Sequence, residues 1–184
     1  MSKINPGLMS SDRPDWNTPL NLLERVRAFD SIGLDPCGNA GSIVQARIEW
    51  RLERDGDSLP KPWGNLGLVY VNPPYGPEIT PFAQKMVEEG AKGTEIIALL
   101  PARVDPVWWQ KWITQADAVC FWRGRLKFLG APSSAPFPSA VAYWGPRRDR
   151  FRAIFGEVGW VVSATPASAP QPLTLFAIPE LIAQ

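Results

Sequence analysis

The chain of 184 residues contains no histidine. That absence removes Ser-His-Asp and Cys-His nucleophilic catalysis, and with only two cysteines it removes the usual zinc sites as well. Cys37 and Cys120 lie far apart, the pattern of two free thiols in a reducing compartment rather than a disulfide framework. No run approaches the roughly 18 apolar residues that cross a bilayer. The start, Met1-Ser2-Lys3-Ile4-Asn5-Pro6, lacks the apolar stretch of a signal peptide, so a cytoplasmic protein without membrane or metal partners is expected. A large excess of one charge is also missing. The net charge of +1 argues against a broadly basic protein, although Arg123, Arg125, Lys127 and Arg147, Arg148, Arg150, Arg152 make the C-terminal half locally positive. Such a patch suits either a phosphate-contacting face or a solvated surface.

Twenty prolines and nine tryptophans are plentiful, the former implying frequent breaks and stiff loops. The length fits one domain, 1–184, with 1–14 and 163–184 peripheral. Thr18-Pro19 reads as the cap and first residue of a helix running to about Phe29, with Leu22, Leu23, Val26 and Phe29 on one face. Ile32 to Asp35 reads as a short strand ending in an acid. The segment 43–66 resists assignment. Leu68 to Val71 is a buried strand, and Thr80-Pro81 opens a helix to about Glu89 with Phe82, Met86 and Val87 inward. Thr94 to Leu100 has strand length, and Asp105-Pro106 opens a helix with Val107, Trp108 and Trp112 on its inner face. Ala118 to Trp122 and Ser139 to Trp144 read as strands, with Arg125 to Phe128 continuing the former into a hairpin. Residues 163–173 read as a linker, and Pro179 to Gln184 as a short docking helix. Strands alternating with helices predict an α/β protein whose sheet is mostly parallel, flanked by helices, with an antiparallel edge.

The most informative stretch is Asn72-Pro73-Pro74-Tyr75, directly after Leu68-Val69-Tyr70-Val71. The carboxyl edge of such a sheet is where open α/β folds bind ligands. Asn72 Oδ1 and the Pro73 carbonyl can each accept one hydrogen of an NH2 group, and Tyr75 can stack on the attached ring. Proline fixes φ and donates nothing, which stiffens the bend. The set suits a flat, conjugated amine. Asp35-Pro36-Cys37-Gly38-Asn39-Ala40-Gly41 places an acid before small residues that permit close backbone approach. It suits an amino-acid-like or nucleoside ligand, or is simply a tight turn. Asp15-Trp16-Asn17-Thr18-Pro19, at a helix start, can receive a carboxylate or is a plain cap. Trp16, beside a turn, can line a pocket.

In their order these pieces resemble the phage N6-adenine DNA methyltransferase family. Asp15-Trp16-x-Thr18-Pro19, Leu34-Asp35-x-Cys37, Trp63 and Asn72-Pro73-Pro74-Tyr75 carry the likeness. So do Leu100-Pro101-Ala102-Arg103-x-Asp105-x-x-Trp108, Gly124 to Phe128 and Ala135 to Ser139, so that it spans about residues 12–145. The resemblance implies a Rossmann-like fold that binds S-adenosyl-L-methionine, with DNA as substrate, a host-bacterial cytoplasm and a phage or prophage origin. It implies cofactor contacts at Trp16, Thr18, Pro19, Asp35, Cys37, Gly38 and Asp57, with Asp57 on the adenine amine and Glu49 on the ribose. A flipped adenine is then held by Asn72, Pro73, Pro74 and Tyr75, with Phe137 on its other face. Arg103, Arg125 and Lys127 are the expected DNA contacts. A monomer or weak dimer is expected. Asn39 departs from the usual Gly-x-Gly after the acid, with Gly41 left as the second glycine. Asn-Pro-Pro-Tyr also occurs in enzymes that methylate guanine amines of RNA or glutamine side chains of proteins. A non-catalytic DNA-binding relative is a third reading.

Overall fold

The apolar runs Leu68–Val71, Ile96–Leu100 and Ala140–Trp144 have no polar position because the sheet they form is covered on both faces. The computed structural model describes residues 17–163. In chain order the elements are α1 (Leu20–Phe29), β1 (Ile32–Gly38), β2 (Ile48–Arg51), α2 (Leu52–Asp55) and β3 (Leu68–Val71). Then come α3 (Ile79–Ala91), β4 (Ile96–Pro101), α4 (Val107–Trp112) with a 3-10 turn (Ile113–Gln115), and β5 (Ala118–Trp122). The last are β6 (Ser139–Trp144), α5 (Arg148–Phe155) and β7 (Gly159–Ser163).

One seven-stranded sheet has the order β2-β1-β3-β4-β6-β5-β7. Strands β1 to β5 run one way, and β6 and β7 run the other. Side chains alternate between the layers with the period of two that strands impose. Leu68, Tyr70, Ile97, Leu99, Val141 and Tyr143 pack under α1 and α5. Val69, Val71, Ile96, Ala98, Ala140 and Ala142 pack under α3 and α4. This is the expected mixed α/β architecture. After β1 the chain moves outward to β2, then returns past β1 to form β3 and continues to β4. The connections therefore diverge between β1 and β3, and the crevice at their carboxyl ends is the topological switch point.

Several boundaries differ from expectation. Strand β1 continues past Asp35 to Gly38 with a register shift between the two, so Asp35 lies within the strand. The unassigned segment holds β2, whose four positions are all half-buried, and the single-turn α2. Thr18 is not the helix cap: Pro19 is, its carbonyl accepting from Leu22 and Leu23 N–H at 3.1 Å each. On α4 the buried positions are Trp109 and, just beyond it, Ile113, four residues apart on one face. Val107 is 77% exposed, and Trp108 and Trp112 are half-buried. Arg125 to Phe128 form no strand. Gly124 and Gly130, with φ of 79° and 76°, turn the chain at either end, and Ala135 N–H bonds back to Leu126 O at 2.7 Å. The antiparallel part exceeds an edge hairpin, because β6 inserts between β4 and β5 and β7 adds the outer strand. Helix α5 and β7 escaped the sequence reading. The linker beyond Ser163 and the docking helix 179–184 lie outside the described residues.

Candidate active site

Strand β3 ends because Pro73 and Pro74 cannot donate to a ladder, which releases Asn72 to Tyr75 over the carboxyl edge. Pro73 is buried, and Asn72, Pro74 and Tyr75 are half-buried. The Tyr75 hydroxyl donates to Asn72 Oδ1 at 3.0 Å and lies 3.3 Å from Leu99 O. Burial pushes the Tyr75 phenol well above its usual range, so it remains a donor. The bond orients the Asn72 amide, whose oxygen is an acceptor with two lone pairs. Around Tyr75 stand Phe128, at 6.3 Å between ring centroids, and Phe137, at 5.6 Å, both edge-on, so Phe137 packs against Tyr75 itself and not across a base from it as expected. The Arg103 guanidinium sits 5.6 Å over the Phe137 ring.

On the other side of the switch point, Asp35 is only 3% exposed. Its Oδ1 accepts from Cys37 N–H at 2.9 Å. Burial, reinforced by the charge of Glu49 and opposed by the Cys37 N–H, pushes the carboxyl up to about 7. Glu49 lies directly across in register and pairs with Arg51 Nε at 2.5 Å. A β-carbon on Gly38 would sit 2.1 Å from Glu49 Cγ, so the glycine makes room for that side chain. The Cys37 thiol is raised well above its ordinary range by burial and by Asp35, which leaves it inert. Asp57 follows α2, is exposed, and accepts from Leu59 N–H at 2.9 Å. Thr18 and Pro19 are buried where α1 begins. The Thr18 hydroxyl is bonded to Tyr70 Oη at 2.8 Å, because a phenol within an aliphatic layer needs a polar partner.

Residues 123–138 connect the carboxyl end of β5 to the start of β6, which pairs with Pro101 at the end of β4. Leu126 and Phe128 are buried, while Arg125 and Lys127 are exposed. The fold thus gathers Asn72 to Tyr75, Arg103 and Phe137 at one point, with Asp35, Cys37, Gly38, Thr18 and Pro19 along the same edge. Arg125 and Lys127 face outward from it, and Trp16 lies outside the described residues. The later arginines are engaged elsewhere. Arg147 pairs with Glu95 and Asp30 before β4 and β1, Arg150 donates to Phe29 O at 2.8 Å, and Arg152 donates to Ser163 Oγ at 2.9 Å. Their joint reading as a phosphate-contacting face is therefore corrected for these three: they tie α5 to its neighbours.

Sequence reasoning missed Phe128, Tyr70 and the pair Asn17–Asn39. Asn39 Oδ1 accepts from Gly41 N–H at 2.9 Å, and its amide donates to Asn17 Oδ1 at 2.8 Å. The asparagine in place of a glycine was the available signal. Ser139 Oγ is buried with no hydrogen-bond partner among the described residues. Among those residues no group of three or more acids or cysteines could hold a metal, and no helix is long and apolar enough to cross a membrane.

A sequence model described as DNA N-6-adenine-methyltransferase (Dam) matches residues 6–141, a stretch that takes in both sides of the switch point and Arg103, Arg125, Lys127 and Phe137. No curated protein matches the chain.

Proposed function

The chain belongs to the DNA N-6-adenine-methyltransferase family, and we propose on that premise that it methylates N6 of an adenine flipped out of DNA, using S-adenosyl-L-methionine. The observation that carries the reading is the proline-stiffened bend at the end of β3, with Asn72 Oδ1 fixed by the Tyr75 hydroxyl.

The residues at the end of β1 fit the cofactor, which carries a sulfonium and an ammonium. Asp35 is a buried carboxylate with an acidic neighbour, Glu49, and a positive charge beside it removes the cost of its ionisation. Cys37 and Gly38 continue that wall. The start of α1 at Thr18 and Pro19 suits a carboxylate, as does Trp16 just before it. Glu49 and the exposed Asp57 are the acceptors available for ribose hydroxyls and the adenine amine. When bound, the cofactor supplies an electrophilic methyl group.

The chain's own residues do the rest. Asn72 Oδ1 and the Pro73 carbonyl accept the two N6 hydrogens and draw the nitrogen lone pair out of conjugation with the ring. Positive charge grows on N6 as it attacks, so these fixed acceptors bind the transition state more tightly than the ground state. Pro74 holds the bend, and Tyr75, backed by Phe128 and Phe137, gives the base an aromatic wall worth about 1–3 kcal/mol. No imidazole is needed, since N6 loses its proton readily once it carries the methyl. Arg103, Arg125 and Lys127 supply phosphate contacts that orient the duplex.

The test is incubation with methyl-labelled S-adenosyl-L-methionine and unmethylated DNA, followed by digestion to nucleosides. Labelled N6-methyladenine is expected. Label appearing only in RNA or protein, or in none of the three, overturns the reading.

A further inference from the structure

We infer that Asn17 is a positioning residue that couples the cofactor loop to the DNA-facing segment, so that binding of either ligand strengthens binding of the other. The inference rests on the function proposed above and adds a route between its two halves.

Asn17 is half-buried at the carboxyl edge and touches both partners through different atoms. Its side-chain oxygen accepts from Asn39 Nδ2 at 2.8 Å, and Asn39 in turn holds Gly41 N–H at 2.9 Å, so the loop after β1 is tied to Asn17. Its backbone carbonyl accepts from Leu129 N–H at 2.9 Å, an isolated antiparallel bridge that ties down residues 123–138. Leu129 directly follows Phe128, whose ring meets Tyr75, and Arg125 and Lys127 lie just before it. The next residue, Thr18, is bonded to Tyr70, two positions before Asn72. Contact on the loop side is close: a β-carbon on Gly41 would lie 2.9 Å from Asn17 Nδ2, so movement of that loop presses directly on Asn17.

Coupling between two ligands is reciprocal and commonly amounts to 5–150-fold. Ordering of residues 38–41 by a cofactor steadies the Asn39 amide, which steadies Asn17 and with it the Leu129 bridge. The DNA-facing segment then binds without having to be ordered at that moment. Neither ligand touches Asn17 in this scheme, so its substitution separates coupling from binding.

The experiment measures affinity of the full chain for an adenine-containing duplex with and without S-adenosyl-L-homocysteine, and the reverse. Wild type is expected to show at least about fivefold mutual enhancement. Asn17→Ala is expected to bring the enhancement below about twofold while each separate affinity changes little. Asn39→Asp, which loses the amide donor to Asn17 but keeps the acceptor for Gly41, is expected to bring the enhancement below about twofold as well, whatever it does to cofactor affinity by itself, and decides the matter should Asn17→Ala not fold. Asn17→Asp, which retains an acceptor for Asn39, is expected to keep the coupling, a rescue that a bulk structural role does not produce. Separate binding of both ligands by wild type without enhancement, or enhancement that survives both Asn17→Ala and Asn39→Asp, overturns the coupling alone. A wild type that binds neither ligand overturns the proposed function, and the coupling with it.

Discussion

Asp35 and Glu89 are almost equally buried, at 3% and 2% exposure, yet burial pushes Asp35 up to about 7 while Glu89 is held near 2. Burial would raise Glu89 too. It is overcome by Lys92 and Lys85, each 2.9 Å from Oε1, and by Trp63 N–H at 3.1 Å. Asp35 has a backbone N–H and a second acid beside it. The two mark opposite edges of the sheet. At the amino edge Glu89 and the Arg147–Glu95–Asp30 group are paired within the protein, and Tyr143 joins the latter through Glu95. A cavity of about 250 Å³ also lies there, lined in part by Gly64, Asn65, Lys92 and Thr94, with its carboxylate already satisfied. An empty space is thus a weaker pointer to function than an uncompensated charge. Paired charges stabilise one edge, while the other holds a buried carboxyl whose ionisation the fold leaves unfavourable.

The sharpest way to break this comparison is Asn72→Ala at the carboxyl edge. Methyl transfer should fall by about 10²–10³-fold, as when one fixed hydrogen-bonding group is removed from a transition state, with cofactor affinity and thermal midpoint nearly unchanged. A parallel loss of both would place Asn72 among the stabilising residues instead. At the amino edge Glu89→Gln should do the opposite. Removing one member of a buried charge group costs about 3 kcal/mol, read as a lowered denaturation midpoint, while methyl transfer at low temperature is retained.

Asp35→Asn probes the difference by pH. An unfolded aspartate titrates near 3.8 and the folded one at about 7. Between those values the folded state holds the extra proton, so the ligand-free wild type loses stability as pH rises through the window. The loss should be on the order of 2 kcal/mol between pH 5 and pH 7. Asp35→Asn should flatten that slope, and it should weaken cofactor binding about tenfold at pH 8; a wild-type slope of opposite sign would remove the argument. Smallest is the effect of Arg125→Ala or Lys127→Ala, each expected to reduce the salt slope of DNA binding by about one without altering the stability of either edge.

How much was legible in the chain depended on how locally each element was encoded. Strand β3 and its bend could be read because four apolar residues meet two prolines with no intermediate pattern. Helix α5 could not, since Arg148-Asp149-Arg150-Phe151-Arg152 looks like a solvated run. Phe151 and Phe155 are its buried residues, with Ile154 partly buried beside them, and Arg150 donates to carbonyls at the end of α1. The Asn-Pro-Pro-Tyr acceptors were legible as chemistry, but the Tyr75 hydroxyl on Asn72 and the rings of Phe128 and Phe137 beside it were not. Those contacts depend on where residues 123–138 return to the sheet.

By itself the amino-acid sequence determined which groups exist to do chemistry: a chain without imidazole, a proline-stiffened bend with amide and carbonyl acceptors, and an acid before small residues. Tertiary structure alone decided that Asp35 resists ionisation, that Asn17 reaches Asn39 and Leu129, and that three of the C-terminal arginines serve the fold. Ionisation depends on the surrounding dielectric and on charges brought near by other strands, and hydrogen bonds between distant residues depend on how the sheet is ordered. Neither is a property of neighbours along the chain.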